Sequence, residues 1–140
     1  MSIESLLRRP VCTLPPDATC REAAQLLRDE RVGCVVVSEH ERPLGVVTDR
    51  DLVVRVMAAG RDPDKTPLRD AMSGEPVFLA SDRGIDQVIA TMRQERVRRI
   101  PIVDADGRLE GVVALDDLLP LLAGQLGELA EAVRAELERP

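Results

Sequence analysis

The octapeptide GVVTDRDL at 45–52 recurs as GVVALDDL at 111–118, identical at five of eight positions. The echo extends upstream. LLRDERV (26–32) returns as TMRQERV (91–97), and Asp17 returns as Asp82. The upstream matches are 65 residues apart and the octapeptides 66 apart, so one residue is inserted between them. The turn SEHERP in one copy and VDADGRL in the other is the natural place, because turns accept insertions at low cost. A chain of 140 residues written twice must fold as two small, similar units.

Each copy carries the same pattern. A short β segment comes first, VCTL (11–14) or VFLA (77–80). A helix follows in REAAQLLRDE, with an apolar stripe of Ala23, Ala24, Leu26 and Leu27. Its counterpart, GIDQVIATMRQ, has Ile85, Val88, Ile89 and Met92. Asp17 to Thr19 supply capping candidates for the first helix and Asp82 for the second. Two strands come next, CVVV (34–37) with PLGVV (43–47), and IPIV (100–103) with LEGVV (109–113). A second helix then starts at TDRDLVVRVMAAG or ALDDLLPLLAG, and Gly60 stops the first of these.

The unit is therefore β-α-β-β-α, an α/β (α+β) architecture. A unit of about 55 residues has a meagre core. Two units stabilise each other by packing their sheets as a pseudo-twofold pair. The expected organisation is repeat 1 at 8–60, a polar linker at 61–72, repeat 2 at 73–122 and a helical extension at 123–140. After Pro120, Leu122, Leu126, Leu129, Val133 and Leu137 recur at helical spacing, with Gly124 and Gly127 weakening the helix locally. Packing on its own domain and forming a dimer or partner seam are both open to it.

Composition narrows the function. Phe78 is the one aromatic residue, which disfavours nucleic-acid binding by base stacking. A net charge of −6 opposes general polyanion binding. The basic residues are almost all arginine, Lys65 being the one lysine. Cys12, Cys20 and Cys34 lack metal-ligand spacing, and His40 in a turn-like stretch is the one histidine, so neither a metal site nor a nucleophile–base constellation is expected. The expectation is a non-catalytic protein. No apolar run is long enough to span a bilayer and no secretory signal pattern is present, which points to a cytoplasmic protein.

The paired octapeptides, the ERV end of each first helix, the RRIPIVDADGRLEGVV hairpin and the M-x-x-x-P stretch from Met72 to Pro76 resemble a tandem pair of CBS (cystathionine β-synthase) domains, a Bateman module, here standing alone over about residues 8–122. The resemblance implies a regulatory module without catalytic cofactor. It implies an adenosine-containing ligand, AMP, ADP, ATP or S-adenosylmethionine, and assembly as a homodimer that signals to a regulated protein. It assigns Asp51 to the ribose and Thr48 to the sugar-phosphate. Val46 becomes part of the floor, and Val77, Val97, Arg98 and Arg99 of the other repeat close the cleft. Gly33 and Cys34 occupy the matching place in repeat 1.

The residue chemistry agrees. A helix start favours a phosphate, and a carboxylate accepts hydrogen bonds from two vicinal hydroxyls. Thr48 and Asp51 also describe an ordinary capped helix. Arg98 and Arg99 alternate in direction if extended, so one of them, not identified from sequence, reaches a phosphate. The second copy keeps Asp117 but has Ala114 in place of Thr48, so its cleft is expected to be weak or unused. The rival expectation is a dimeric scaffold with vestigial nucleotide clefts.

Overall fold

The computed structural model describes residues 3–73 and 77–140. Pro76, the end of the M-x-x-x-P stretch, lies outside them. The chain forms two matching three-stranded sheets. In the first, β1 (Thr13–Leu14) runs parallel to β2 (Cys34–Glu39), and β2 pairs antiparallel with β3 (Arg42–Thr48). In the second, β4 (Leu79–Ala80), β5 (Arg99–Val103) and β6 (Leu109–Ala114) repeat that order and direction. The register shifts at Val37/Ser38 and at Ile102/Val103, again 65 residues apart. Ser38 pairs with Pro43 and Val103 with Leu109, so the inserted residue does lie in the second hairpin turn. In the first turn, His40 and Glu41 both take positive φ, the conformation of a tight two-residue hairpin, and His40 is exposed.

Helix α1 (Cys20–Glu30) opens with a capping box, in which Thr19 accepts from the Glu22 N–H and the Glu22 carboxylate accepts from the Thr19 N–H. Helix α3 (Ile85–Glu95) starts at Gly84 with no side-chain cap. Asp82, the expected cap, sits two residues earlier, in a turn closed by the Arg83 N–H on the Ala80 carbonyl. Both helices end in a left-handed arginine, Arg31 and Arg96, at the ERV motif. The buried stripes are Cys20, Ala23 and Leu27 in α1, and Ile85, Val88 and Met92 in α3. Ala24 and Ile89, expected on those stripes, occupy equivalent positions and both face outward.

Helix α2 (Asp49–Asp51) continues as a π-helical stretch, Leu52–Met57, its widened turns shown by the Ala58 N–H on the Val53 carbonyl. Gly60 at φ 70° ends it, as expected. The second copy differs. Helix α4 (Leu115–Leu137) absorbs Pro120 and runs unbroken through Gly124 and Gly127, so the extension is continuous with repeat 2 rather than a separate element.

Two cores form, one per repeat. Val37, Val47, Val56 and Cys20 belong to the first; Ile100, Ile102, Val113 and Leu118 belong to the second. On the opposite sheet faces, Val46 and Pro101 line one cleft between the repeats and Val112 lines another. The hairpins also meet, with the Leu109 N–H donating to the Glu41 carbonyl at 2.7 Å.

The segments preceding the repeats are exchanged. Ile3, 1 % exposed in a 3-10 turn (Ile3–Leu6), enters the core of repeat 2. Leu68, 65 residues later and 0 % exposed, enters the core of repeat 1. The stretch 61–72 is anchored along its length. Its Thr66 carbonyl accepts from Cys20 N–H, and the Leu68 N–H donates to the Ala18 carbonyl. The clasps cross the sheets at Gly45 and Gly111. A Cβ on Gly45 would stand 3.0 Å from Met72 Sδ, and one on Gly111 would stand 3.2 Å from the Arg8 carbonyl oxygen. Gly111→Val is expected to destabilise the chain by about 1–3 kcal/mol through overpacking, read from the urea midpoint.

Candidate functional site

Strand β3 ends at Thr48, and α2 begins there. Thr48 is the N-cap: its Oγ1 accepts from the Asp51 N–H at 3.1 Å, and the Asp51 carboxylate accepts from the Thr48 N–H at 2.9 Å. The Thr48 hydroxyl also donates to Asp51 Oδ2 at 3.1 Å. The ordinary capping role is therefore real, and it leaves Asp51 Oδ1 with acceptor capacity, 3.8 Å from Arg55 Nε. Capping and ligand binding are compatible here. The box holds the carboxylate in one rotamer at the mouth of a cleft.

That cleft measures about 600 Å³, within the range of roughly 300–1,000 Å³ usual for small-molecule sites. The structure brings Thr48, Asp51, Val46, Val77, Val97, Arg98 and Arg99 together on its walls. One wall comes from repeat 1 and the other from repeat 2. Pro43 and Pro101, both buried, extend the aliphatic floor beside Val46, and Ser73 closes one side. These three were not read from sequence. Their patterns are those of plain strand and linker residues.

Both Arg98 and Arg99 line the cleft, at different depths. Arg98 is exposed at the rim and donates to Asp116 at 3.1 Å. Arg99 is half-buried and its guanidinium reaches away to Gly33, where a Cβ would be 2.3 Å from Nη2.

Gly33 and Cys34 line a different, smaller cleft of about 80 Å³, together with Ala114, Arg8, Cys12 and Arg99. It is the pseudo-symmetric counterpart of the large one. Ala114 offers no side-chain cap to α4. Asp117, which would complete a capping box with a threonine, instead binds Arg8 in a bidentate pair, Nε to Oδ2 and Nη2 to Oδ1, each at 2.7 Å. Burial pushes the Cys34 thiol pKa up, while Arg99 pulls it down. Arg8 was missed as a site residue. Its signal was available in the 65-residue offset, which places Arg8 against Ser73.

Two repeats joined by exchanged segments, with unequal clefts at their junctions, define a tandem ligand-binding module. The profile of the CBS domain family matches residues 3–58 and 68–124. The chain belongs to the CBS domain family. It is 38% identical over 117 residues to the CBS domain-containing protein YhcV of Bacillus subtilis, covering 84% of this chain and 82% of that one. A CBS domain protein of Pyrobaculum aerophilum, solved in complex with AMP, superposes with a TM-score of 0.77 at 31% identity, covering 84% of this chain and 90% of that one. A hexameric CBS-CP12 protein from bloom-forming cyanobacteria superposes with a TM-score of 0.76 at 27% identity, covering 85% and 69%. Among the described residues, no helix is long and apolar enough to cross a membrane.

Proposed function

We propose that this protein is a non-catalytic sensor that binds an adenosine-containing ligand, of the AMP, ADP, ATP or S-adenosylmethionine class, in the 600 Å³ cleft between its repeats. One observation carries the reading. The Thr48–Asp51 box of repeat 1 faces Val77, Val97 and Arg99 of repeat 2 across a cleft of nucleotide size. The Asp51 carboxylate suits ribose hydroxyls, and the proline- and valine-lined floor suits an aromatic base with no aromatic partner. Arg98 at the rim and the start of α2 suit phosphate. The AMP complex of the P. aerophilum relative supports the ligand class. Because both repeats contribute walls, a ligand preferring one repeat–repeat geometry shifts the population toward it, and a regulated partner protein would read that shift.

The test is a thermal-shift panel of AMP, ADP, ATP and S-adenosylmethionine on the wild type, Asp51→Ala and Asp51→Asn. A ligand at a hundred times its dissociation constant adds about 2.7 kcal/mol to stability. Losing a hydrogen bond to the charged carboxylate is expected to weaken binding by about ten- to a hundredfold. Asp51→Asn keeps an acceptor for the Thr48 N–H and so separates ligand loss from cap loss. No shift with any ligand, confirmed by calorimetry, would reject the sensor reading.

A second observation favours assembly. Helix α4 leaves Leu119, Leu126, Leu129 and Val133 at 58–68 % exposure, and Val53, Val54 and Met57 are exposed on the matching helix of repeat 1. We propose that the chain self-associates as a homodimer through α4. If its clefts are vestigial, that dimer would serve as a scaffold.

A further inference from the structure

The two clefts differ by more than a threonine. Where the large cleft has Ser73, the small one has Arg8. The equivalence is structural: the Ser73 N–H donates to the Val46 carbonyl, and the Arg8 N–H to the Val112 carbonyl, 66 residues on. The same clasp thus crosses each sheet, ending in a short side chain at one cleft and in a guanidinium at the other. Three features close the small cleft to a nucleotide. Ala114 cannot form a capping box, so both oxygens of Asp117 are available. Glycine at 33 admits Arg99 from the other side. The remaining volume, about 80 Å³, is too small for a nucleotide.

We propose that Arg8 is a built-in occupant of the second cleft. It takes the carboxylate that would otherwise face a ribose, so each chain carries one nucleotide site rather than two. This inference rests on the nucleotide reading above. The Arg8 side chain is 58 % exposed and that of Asp117 26 %, so the pair is a surface ion pair of small net energy. Removing it opens the cleft without unfolding the chain.

The experiment is calorimetry with AMP on the full chain, comparing the wild type with Arg8→Ser/Ala114→Thr, which copies Ser73 and Thr48 into the second cleft. One AMP per wild-type chain and two per variant chain are expected. Adding Asp51→Ala to the variant should return it to one. Two AMP on the wild type, or one on a variant whose urea midpoint shows it folded, overturns the inference while leaving the nucleotide reading intact.

If none of AMP, ADP, ATP and S-adenosylmethionine binds either protein, the nucleotide reading fails, and closure is judged without nucleotide. With Cys12→Ser in both proteins and Cys20 buried as an internal control, Cys34 alkylation by iodoacetamide is expected to be several-fold faster in Arg8→Ser. Arg8 is among the charges that pull the Cys34 thiol pKa down. Its loss alone would leave less thiolate and slow the reaction, so a faster rate reports access. An unchanged or slower rate overturns closure by Arg8.

Discussion

Leu68→Ala is expected to cost about 2–5 kcal/mol, the range for emptying a fully buried leucine site. Against a total stability of about 5–15 kcal/mol for a domain, that is enough to bring the chain near its unfolding threshold. Leu68 is 0 % exposed and packs with Ala18, Val47 and Val56 in the core of repeat 1, although it follows that repeat in sequence. Ile3→Ala should act alike on repeat 2, since Ile3 packs with Ile100, Val113 and Leu118. Urea unfolding read by circular dichroism gives both values. The exchange has a further consequence: residues 8–60 alone lack Leu68, and repeat 2 alone lacks Ile3. Neither isolated repeat should fold with the stability of half the pair. A loss below about 1 kcal/mol for Leu68→Ala would mean that 61–72 is merely a spacer.

This exchange also marks where the sequence stopped being readable. The β-α-β-β-α order was legible because each element carries its own apolar periodicity and the octapeptide fixes the alignment of the copies. Thr48, Asp51, Val77, Val97, Arg98 and Arg99 were placed by the CBS resemblance rather than by periodicity, and the structure gathers them on the walls of one cleft. Leu68 was not legible. It is one apolar residue in a polar, proline-containing stretch, and only a tertiary contact shows that a core needs it. Ala24 and Ile89 were assigned inward because a helical stripe read from sequence has uncertain width, whereas the sheet covers only the Cys20/Ala23/Leu27 side.

Arg8 escaped for a different reason. Its role comes from what Ala114 and Gly33 lack, and one residue's freedom to fill a cleft cannot be seen in its own local pattern. The continuity of α4 was obscured by Pro120, which removes one N–H and normally argues for a break. Here the proline lies on the exposed side of the helix. The matching position in repeat 1, Val54, lies within the π-helical stretch, so both copies are irregular at the same turn.

Leu126→Glu/Leu129→Glu is expected to halve the solution mass measured by light scattering, from a dimer to a single chain. On α4, Leu119, Leu126 and Val133 are seven residues apart, and Leu115, Leu122 and Leu129 form the second seven-residue series. That is the a/d pattern of a two-helix seam, narrower than the stripe of a helix packed on a globular core. From Leu126 onward its members are exposed, so their own chain does not cover them. The positions flanking the distal seam, Ala130 and Ala132, are small and uncharged, while Glu128, Glu131 and Arg134 lie off the seam, and Glu131 pairs with Arg134 at 2.7 Å. A charged partner peptide would find nothing complementary there. A second copy would find a matching apolar seam, and the net charge of −6 on each chain would not be concentrated at the contact. Gly124 and Gly127 each cost a helix about 1 kcal/mol. Pairing would therefore also stabilise the stretch beyond the body of the protein, whose residues from Ala123 on are exposed. Because Leu126 and Leu129 are exposed in the single chain, the double substitution should leave its urea stability nearly unchanged once monomeric. A wild type already monomeric at micromolar concentration would refute the seam. So would a variant that remains dimeric, and Val53→Glu/Met57→Glu would then test the opposite helix as the contact.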